Sequence, residues 1–202
     1  MRAKYRSAEL LEGEANDPID LLTRWLNDAV SAQVVEPNAM ILSTVHDRQP
    51  RARAVLLRGL DDRGLAFFTN YDSDKAKELA ADAYACCTFL WTEIARQVRV
   101  EGTVSRVADA ESDAYFASRP RGHQVGAWAS EQSRVITSRA VLEDRVAELE
   151  KRFDGKPVPR PPFWGGFRLT PTAFEFWQGR DNRLHDRLRF LAPDWRVERL
   201  SP

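Results

Sequence analysis

Cysteine is nearly absent from this chain of 202 residues, and the two that occur, Cys86 and Cys87, are adjacent. On a strand adjacent side chains point to opposite faces, so a disulfide between them would be strained. The three histidines, His46, His123 and His185, lie far apart, and no Cys/His spacing suits a metal, so no metal site is expected. No apolar run is long enough to cross a bilayer, and the start Met1-Arg2-Ala3-Lys4-Tyr5 lacks the apolar core of a signal peptide. A cytoplasmic protein with no membrane partner is expected. Net charge is absent as well: 30 basic residues balance 30 acidic ones, leaving no global field to recruit nucleic acid. There is no glycine-rich dinucleotide fingerprint, no P-loop and no glycine-flanked nucleophile elbow. No carboxylate pair stands out. Lysine occurs only at positions 4, 75, 77, 151 and 156, so the positive charge is almost all arginine. That bias fits forked phosphate contacts and fits a compositional habit equally well.

What is present reads as a β-rich domain. Residues 1–16 are polar and are expected to be flexible, and residues 17–202 read as one domain. Asp17 caps and Pro18 opens a helix whose apolar face is Leu22, Trp25, Leu26, Ala29 and Val30. Strands follow over Ala39–Val45 and Arg51–Leu57, separated by the turn His46–Pro50. The hairpin signal Asp61-Asp62-Arg63-Gly64 leads into Leu65–Asn70. Ser73 caps a short helix to Ala81, and Ala85–Trp91 and Gln97–Val107 are further strands. Asp109–Ser118 is a helix. Arg119–Ser133 reads as an irregular stretch anchored by Trp128. Ser138 caps a helix to Phe153 with the stripe Leu142, Val146, Leu149 and Phe153. A proline-rich link precedes closing strands at Gly166–Leu169, Ala173–Trp177, Leu184–Leu191 and Trp195–Leu200. Hairpin-joined strands with helices outside the run predict a mainly β (α+β) fold, a small barrel with peripheral helices.

The chemistry concentrates near the C-terminus. From Glu175 to Arg187 an aromatic run enters a glycine turn and leaves with Arg183, His185 and Arg187 at alternate positions. On a strand these share one face, suited to a phosphorylated planar ligand or, equally, to solvent. Arg53 and Arg58 bracket an apolar strand and face opposite sides of it, Thr69 ends the next strand, and Lys75 opens a helix where an anion is favoured. Arg119-Pro120-Arg121-Gly122-His123 is a second basic cluster. An arginine- and aromatic-rich barrel suits a flat anionic cofactor such as flavin mononucleotide (FMN).

Seven segments carry a more specific signal: R-A-V-L-L-R (Arg53–Arg58), F-F-T-N (Phe67–Asn70), R-Q-V-R-V-E-G (Arg96–Gly102), Y-F-A-S-R-P-R-G (Tyr115–Gly122), G-A-W-A-S-E-Q-S (Gly126–Ser133), W-G-G-F-R-L (Trp164–Leu169) and E-F-W-Q-G-R-D-N-R-L-H-D-R (Glu175–Arg187). In this order they resemble the pyridoxine (pyridoxamine) 5′-phosphate oxidases, from about Asp17 to the C-terminus. The resemblance implies an FMN-binding split β-barrel whose C-terminal strands dimerise, a homodimer with FMN at the interface. It implies oxidation of pyridoxine or pyridoxamine 5′-phosphate at C4′ to pyridoxal 5′-phosphate, with O₂ as acceptor. By residue-wise matching, Arg53, Val55, Leu56, Phe68, Thr69, Lys75, Gln97, Gln132, Ser133, Trp177 and Arg187 are the expected FMN contacts. Arg58, Tyr115, Arg119 and His123 are expected at the substrate phosphate. Arg183 and His185 are expected to orient the substrate ring, the catalytic role. Arg2 and Tyr5 match a flap over the substrate. Three positions depart from the family pattern: Arg58 stands for a lysine, Asp74 for an arginine near the FMN phosphate, and His123 for a small polar residue. A flavin oxidase of another flat substrate, of phenazine type, and a non-catalytic flavin- or pyridoxal-phosphate-binding protein are the alternatives.

Overall fold

The computed structural model describes residues 10, 13 and 16–202. Helix α1 spans Pro18–Ser31, and its start follows from capping: Asp17 Oδ1 accepts the Ile19 N–H at 2.7 Å. Leu21, Leu22, Trp25 and Ala29 are buried. Val30, expected on that face, is 60% exposed, and Leu21 takes its place. Trp25 stands edge-on to Phe176 at 5.2 Å, which seats the helix on the sheet.

Among the described residues nine strands form one sheet: β1 (Ala39–His46), β2 (Gln49–Leu56), β3 (Gly59–Asp61), β4 (Gly64–Asn70), β5 (Tyr84–Trp91), β6 (Arg96–Arg106), β7 (Trp164–Gln178), β8 (Asp186–Leu191) and β9 (Arg196–Arg199). The order is β2-β1-β5-β6-β7-β4-β3, all antiparallel, with β8 on β7 and β9 on β8. The outermost strands β2 and β3 are consecutive in sequence. Between them Leu57 N–H donates to Asn38 O and Arg58 N–H to Ala66 O, both at 2.8 Å. The sheet therefore curls toward itself without closing, a split barrel. Alternation fills its interior: Met40 and Leu42, Phe67, Phe89, Val98 and Val100, Phe174 and Phe176 are all buried. Each such side chain contributes about 1.5–3 kcal/mol of transfer free energy.

The turn between β1 and β2 is tighter than expected. Asp47 and Arg48 carry it in the left-handed region (φ 48° and 65°), so Gln49 and Pro50 already pair with β1. The two closing strands expected at Gly166–Leu169 and Ala173–Trp177 are one strand, β7. Pro171 does not break it because it sits opposite Gly102, where the register with β6 shifts. A Cβ on Gly102 would lie 2.1 Å from Thr170 O, so only glycine lets the strands approach there. The first half of β7 pairs with β4, the second with β8, and β6 runs beside both.

The helices lie outside: α2 (Asp74–Ala81), α3 (Asp109–Ser118), α4 (Arg121–Ala129) and α5 (Ala140–Arg152). Ser73 sits at the N-cap of α2, but its hydroxyl bonds Asn70 O at 2.6 Å instead of capping. Helix α4 corrects the reading of 119–133 as irregular, and Val125 and Ala129 are its buried anchors. Helix α5 starts at Ala140 with Arg139, not Ser138, at its cap. Of its expected stripe Phe153 is buried, while Leu142, Val146 and Leu149 are half-buried. Among the described residues no helix is long and apolar enough to cross a membrane.

Candidate active site

A cleft of about 810 Å³ opens between the β2–β3 link, β4, α2, α3 and α4. Val55, Leu56, Phe68, Thr69, Lys75, Gln132, Arg58, Tyr115, Arg119 and His123 all line it, so ten residues singled out in the sequence converge here. At one end, Lys75 Nζ donates to Thr69 Oγ1 at 2.9 Å, Gln132 Oε1 at 2.8 Å and Ser73 Oγ at 3.3 Å. These acceptors are neutral. Burial, reinforced by the charge of Arg53, brings the Lys75 pKa down to about 8, and Asp74 and Glu78 oppose that shift. An anion at this end would meet an ammonium, hydroxyls and the first turn of α2.

At the other end Phe68, Tyr115 and Trp164 stack nearly parallel, with Phe68–Tyr115 centroids at 4.0 Å and Tyr115–Trp164 at 6.2 Å. The Arg119 guanidinium lies over Trp164 at 4.6 Å. Its Nη1 is buried with no hydrogen-bond partner among the described residues. Burial lowers the Arg119 pKa from the ordinary guanidinium value, Arg58 adds to the effect and Tyr115 opposes it. A buried cationic donor left unsatisfied is costly, and an anionic acceptor entering the cleft would relieve it. Gly122 and Gly126, one turn apart on α4, have no atom within 4 Å of where a Cβ would stand, so this wall of the cleft is left open.

Other expected site residues are elsewhere. Arg53 points away from the cleft lining into an ion pair: Nη2 meets Glu78 Oε2 at 2.7 Å, and Nη1 bonds Thr44 Oγ1. Burial would raise the Glu78 pKa, but the Thr44 hydroxyl and Arg53 outweigh it and hold the carboxyl below its ordinary value. Ser133 (φ 71°) accepts the Asp74 N–H at 3.2 Å beside Gln132. Gln97, Trp177 and Arg187 stand side by side across β6, β7 and β8.

The exit from the glycine turn is not a strand, which corrects the expectation that Arg183, His185 and Arg187 share a strand face. Asp181–Arg183 form a short 3₁₀ turn with Asn182 and Arg183 at φ 56° and 63°, and β8 begins only at Asp186. His185 packs against Trp177 at 4.6 Å between ring centroids. Its Nδ1 accepts the Arg180 N–H at 3.0 Å, which places the proton of the neutral ring on Nε2. Arg187 grips Glu175 through Nε and Nη2 at 2.9 and 2.8 Å. Arg2 and Tyr5 lie outside the described residues. Trp164 and Glu78 were not singled out for a role. Trp164 lay within a recognised segment, whereas Glu78 meets Arg53 only through the fold.

Comparison with known proteins assigns this architecture. Residues 26–153 match the family model described as pyridoxamine 5′-phosphate oxidase, and 164–202 match the pyridoxine 5′-phosphate oxidase C-terminal dimerisation region. The pyridoxine/pyridoxamine 5′-phosphate oxidase of Rubrobacter xylanophilus is 54% identical, covering 100% of this chain and 95% of its own. The crystal structure of PhzG from Burkholderia lata, in complex with tetrahydrophenazine-1-carboxylic acid, superposes with TM-score 0.91 at 33% identity, covering 97% of this chain and 99% of that one. An FMN-binding, pyridoxamine 5′-phosphate oxidase-related protein of Nostoc punctiforme shares the fold at TM-score 0.74 and 16% identity, covering 93% of this chain and 100% of that one. The chain belongs to the pyridoxamine 5′-phosphate oxidase family.

Proposed function

We propose that the protein is an FMN-dependent oxidase that converts pyridoxine or pyridoxamine 5′-phosphate to pyridoxal 5′-phosphate with O₂ as electron acceptor. The observation that carries this reading is the buried, unpartnered Arg119 Nη1, held over Trp164 in a cleft that also contains Arg58, Tyr115 and His123. That is a cradle for a phosphate monoester. The other end of the cleft fits the phosphate of FMN, with Lys75, Thr69, Gln132 and the neighbouring Ser133 as donors and Val55, Leu56 and Phe68 as walls. Arg53, tied to Glu78, supports that end by its charge. FMN, when bound, supplies the two-electron acceptor and the route to O₂.

The remaining site residues, Gln97, Trp177, Arg183, His185 and Arg187, line no part of this cleft. Four of the five fall inside the matched dimerisation region. A homodimer that sets the turn of one protomer against the cleft of its partner completes the site, and the match supports that assembly. There Arg183 and His185 orient the substrate ring, and no strong general base is required. The Nε2–H of His185 is the donor it presents in neutral form. An enzyme of this kind works in the cytoplasm.

The likeness to PhzG favours one second reading, oxidation of a phenazine-type substrate. Arg119 speaks against it, because a phosphate-free substrate leaves that donor unmet. The test is the visible spectrum of FMN-loaded protein under anaerobic conditions, before and after pyridoxine 5′-phosphate. Bleaching of the flavin band that air reverses is the expected result. A flavin band that neither B6 phosphate bleaches would overturn the substrate, and failure to bind FMN would overturn the cofactor.

A further inference from the structure

The turn that carries Arg183 and His185 is strained. Asn182 and Arg183 both occupy the left-handed region, which costs non-glycine residues on the order of 1 kcal/mol or more each and persists only where the surroundings enforce it. Asp186, the first residue of β8, supplies that enforcement. Its Oδ1 pairs with Arg199 Nη1 at 2.9 Å, and its Oδ2 lies 3.7 Å from Arg180 Nε. Its Oδ2 also accepts the N–H of Leu10 at 3.2 Å, while the Leu10 carbonyl accepts from Arg199 Nη2 at 2.8 Å. Leu10 is 2% exposed, so a single apolar plug and both of its backbone polar groups are bound by one ion pair 176 and 189 residues away. Arg180, held on its side-chain end by Asp186, donates its backbone N–H to His185 Nδ1. On the far side, Arg187 is pinned to the C-terminal residues: Leu200 N–H donates to Arg187 O at 2.9 Å, and Arg187 Nη1 to Ser201 O at 2.9 Å.

We infer that Asp186 is a positioning residue that couples the docking of Leu10 to the orientation of the His185 imidazole. A seated Leu10 completes the acceptor set of Asp186 and holds Arg199 square to it. Asp186 then fixes Arg180, and the Arg180 amide fixes the ring tautomer and tilt against Trp177. When Leu10 leaves, Asp186 loses one donor and the turn can relax out of its left-handed conformation. Leu10 thereby acts on the reaction without touching substrate. The inference rests on the reading of His185 as the residue that orients the substrate ring.

The test reads the imidazole directly. With only three histidines, ¹⁵N-labelled full-length protein loaded with FMN gives resolvable ring signals, and His185→Asn assigns the one of interest. Asp186→Asn removes the charge and keeps the shape. Leu10→Asp expels the plug, and Leu10→Met retains it. In Asp186→Asn and Leu10→Asp the His185 ring nitrogens are expected to lose the Nε2–H tautomer signature while His46 and His123 stay as they were. Turnover of pyridoxine 5′-phosphate should fall between about tenfold and a hundredfold in kcat with KM little changed, the mark of lost orientation. Leu10→Met should match the unaltered chain in both. Should Asp186→Asn fail to fold, Leu10→Asp carries the test. A His185 signature unchanged in Leu10→Asp overturns the coupling whatever the turnover. A shifted signature in a protein that oxidises neither B6 phosphate would uphold the coupling and defeat the oxidase reading instead.

Discussion

The cleft and the β7–β8 turn are both rich in arginine, yet they use it in opposite ways. In the cleft, Arg119 keeps a buried donor without a partner, and Lys75 is surrounded by neutral oxygens. Around the turn the guanidinium groups end on carboxylates or carbonyls: Arg99 and Arg187 on Glu175, Arg199 on Asp186, Arg187 on Ser201. The first region holds its cations against neutral groups, whereas the second sets nearly every guanidinium against a carboxylate, even where, as at Arg99 Nε, the hydrogen-bond geometry is unmet. Positive charge held open selects an anionic ligand, whereas positive charge already paired fixes a backbone shape. Counting arginines would miss the distinction.

The sharpest way to break the contrast is to remove a carboxylate from the paired side. Glu175 is 6% exposed between two arginines, and Glu175→Ala should cost about 2–3 kcal/mol, somewhat under the range for fully buried pairs because Arg99 and Arg187 keep some water. Denaturant unfolding reads this as a lower midpoint; an unchanged midpoint would mean the network contributes no net stability. On the open side the loss should be functional instead. Arg119→Ala should raise KM for pyridoxine 5′-phosphate by roughly ten- to a hundredfold, the worth of charge-assisted hydrogen bonds, with unfolding little affected. Equal loss for phosphorylated and unphosphorylated pyridoxine would remove the phosphate role.

Smaller effects sharpen the picture. The Lys75 pKa stands at about 8 in the empty cleft, and a bound phosphate must raise it. Affinity for FMN is therefore full below pH 8 and falls as pH rises from there toward the higher pKa of the complex, by at most about tenfold per pH unit. Fluorescence titration of FMN across that range would show it, and Lys75→Arg should flatten the slope. Gly126→Ala should work in the opposite sense. Alanine favours mid-helix by about 0.5–1 kcal/mol, so thermal stability should rise slightly while FMN or substrate affinity drops as the methyl enters the cleft. A gain in stability with no loss of binding would show that the open wall is not used by ligand.

Much of the fold was legible because alternation in β1, β5 and β6 and the Asp17-Pro18 start of α1 are local signals. The cleft was legible residue by residue through short segments, not through spacing. The turn at 181–185 was not. Left-handed residues there are asparagine and arginine rather than glycine, so nothing local separated a turn from a strand whose charges alternate. Helix α4 was hidden for a related reason: its two glycines, which leave one wall of the cleft open, weaken the helical pattern. The two strands expected at Gly166–Leu169 and Ala173–Trp177 run on as one because the register shift opposite Gly102 accommodates the residues between them, a pairing no local signal shows. The Arg53–Glu78 pair joins β2 to α2 and leaves no trace in either segment alone.

Strand β7 is also a ruler. It carries Trp164, the floor of the cleft, at one end and Trp177, the backing of His185, near the other. Thirteen steps at about 3.3 Å put roughly 40 Å of strand between them, less whatever the bend at Gly102 takes away. If Arg119 and His185 hold the two ends of one vitamin-sized molecule, as proposed above, that molecule does not span the strand, and the two ends come from two copies of the chain. On that reading each end finds its counterpart on another ruler laid alongside, in keeping with the match to a dimerisation region. In the proposed assembly the spacing of the two sites follows the length of one strand, and the register shift where Pro171 meets Gly102 of β6, near its midpoint, is the place where it could be re-cut.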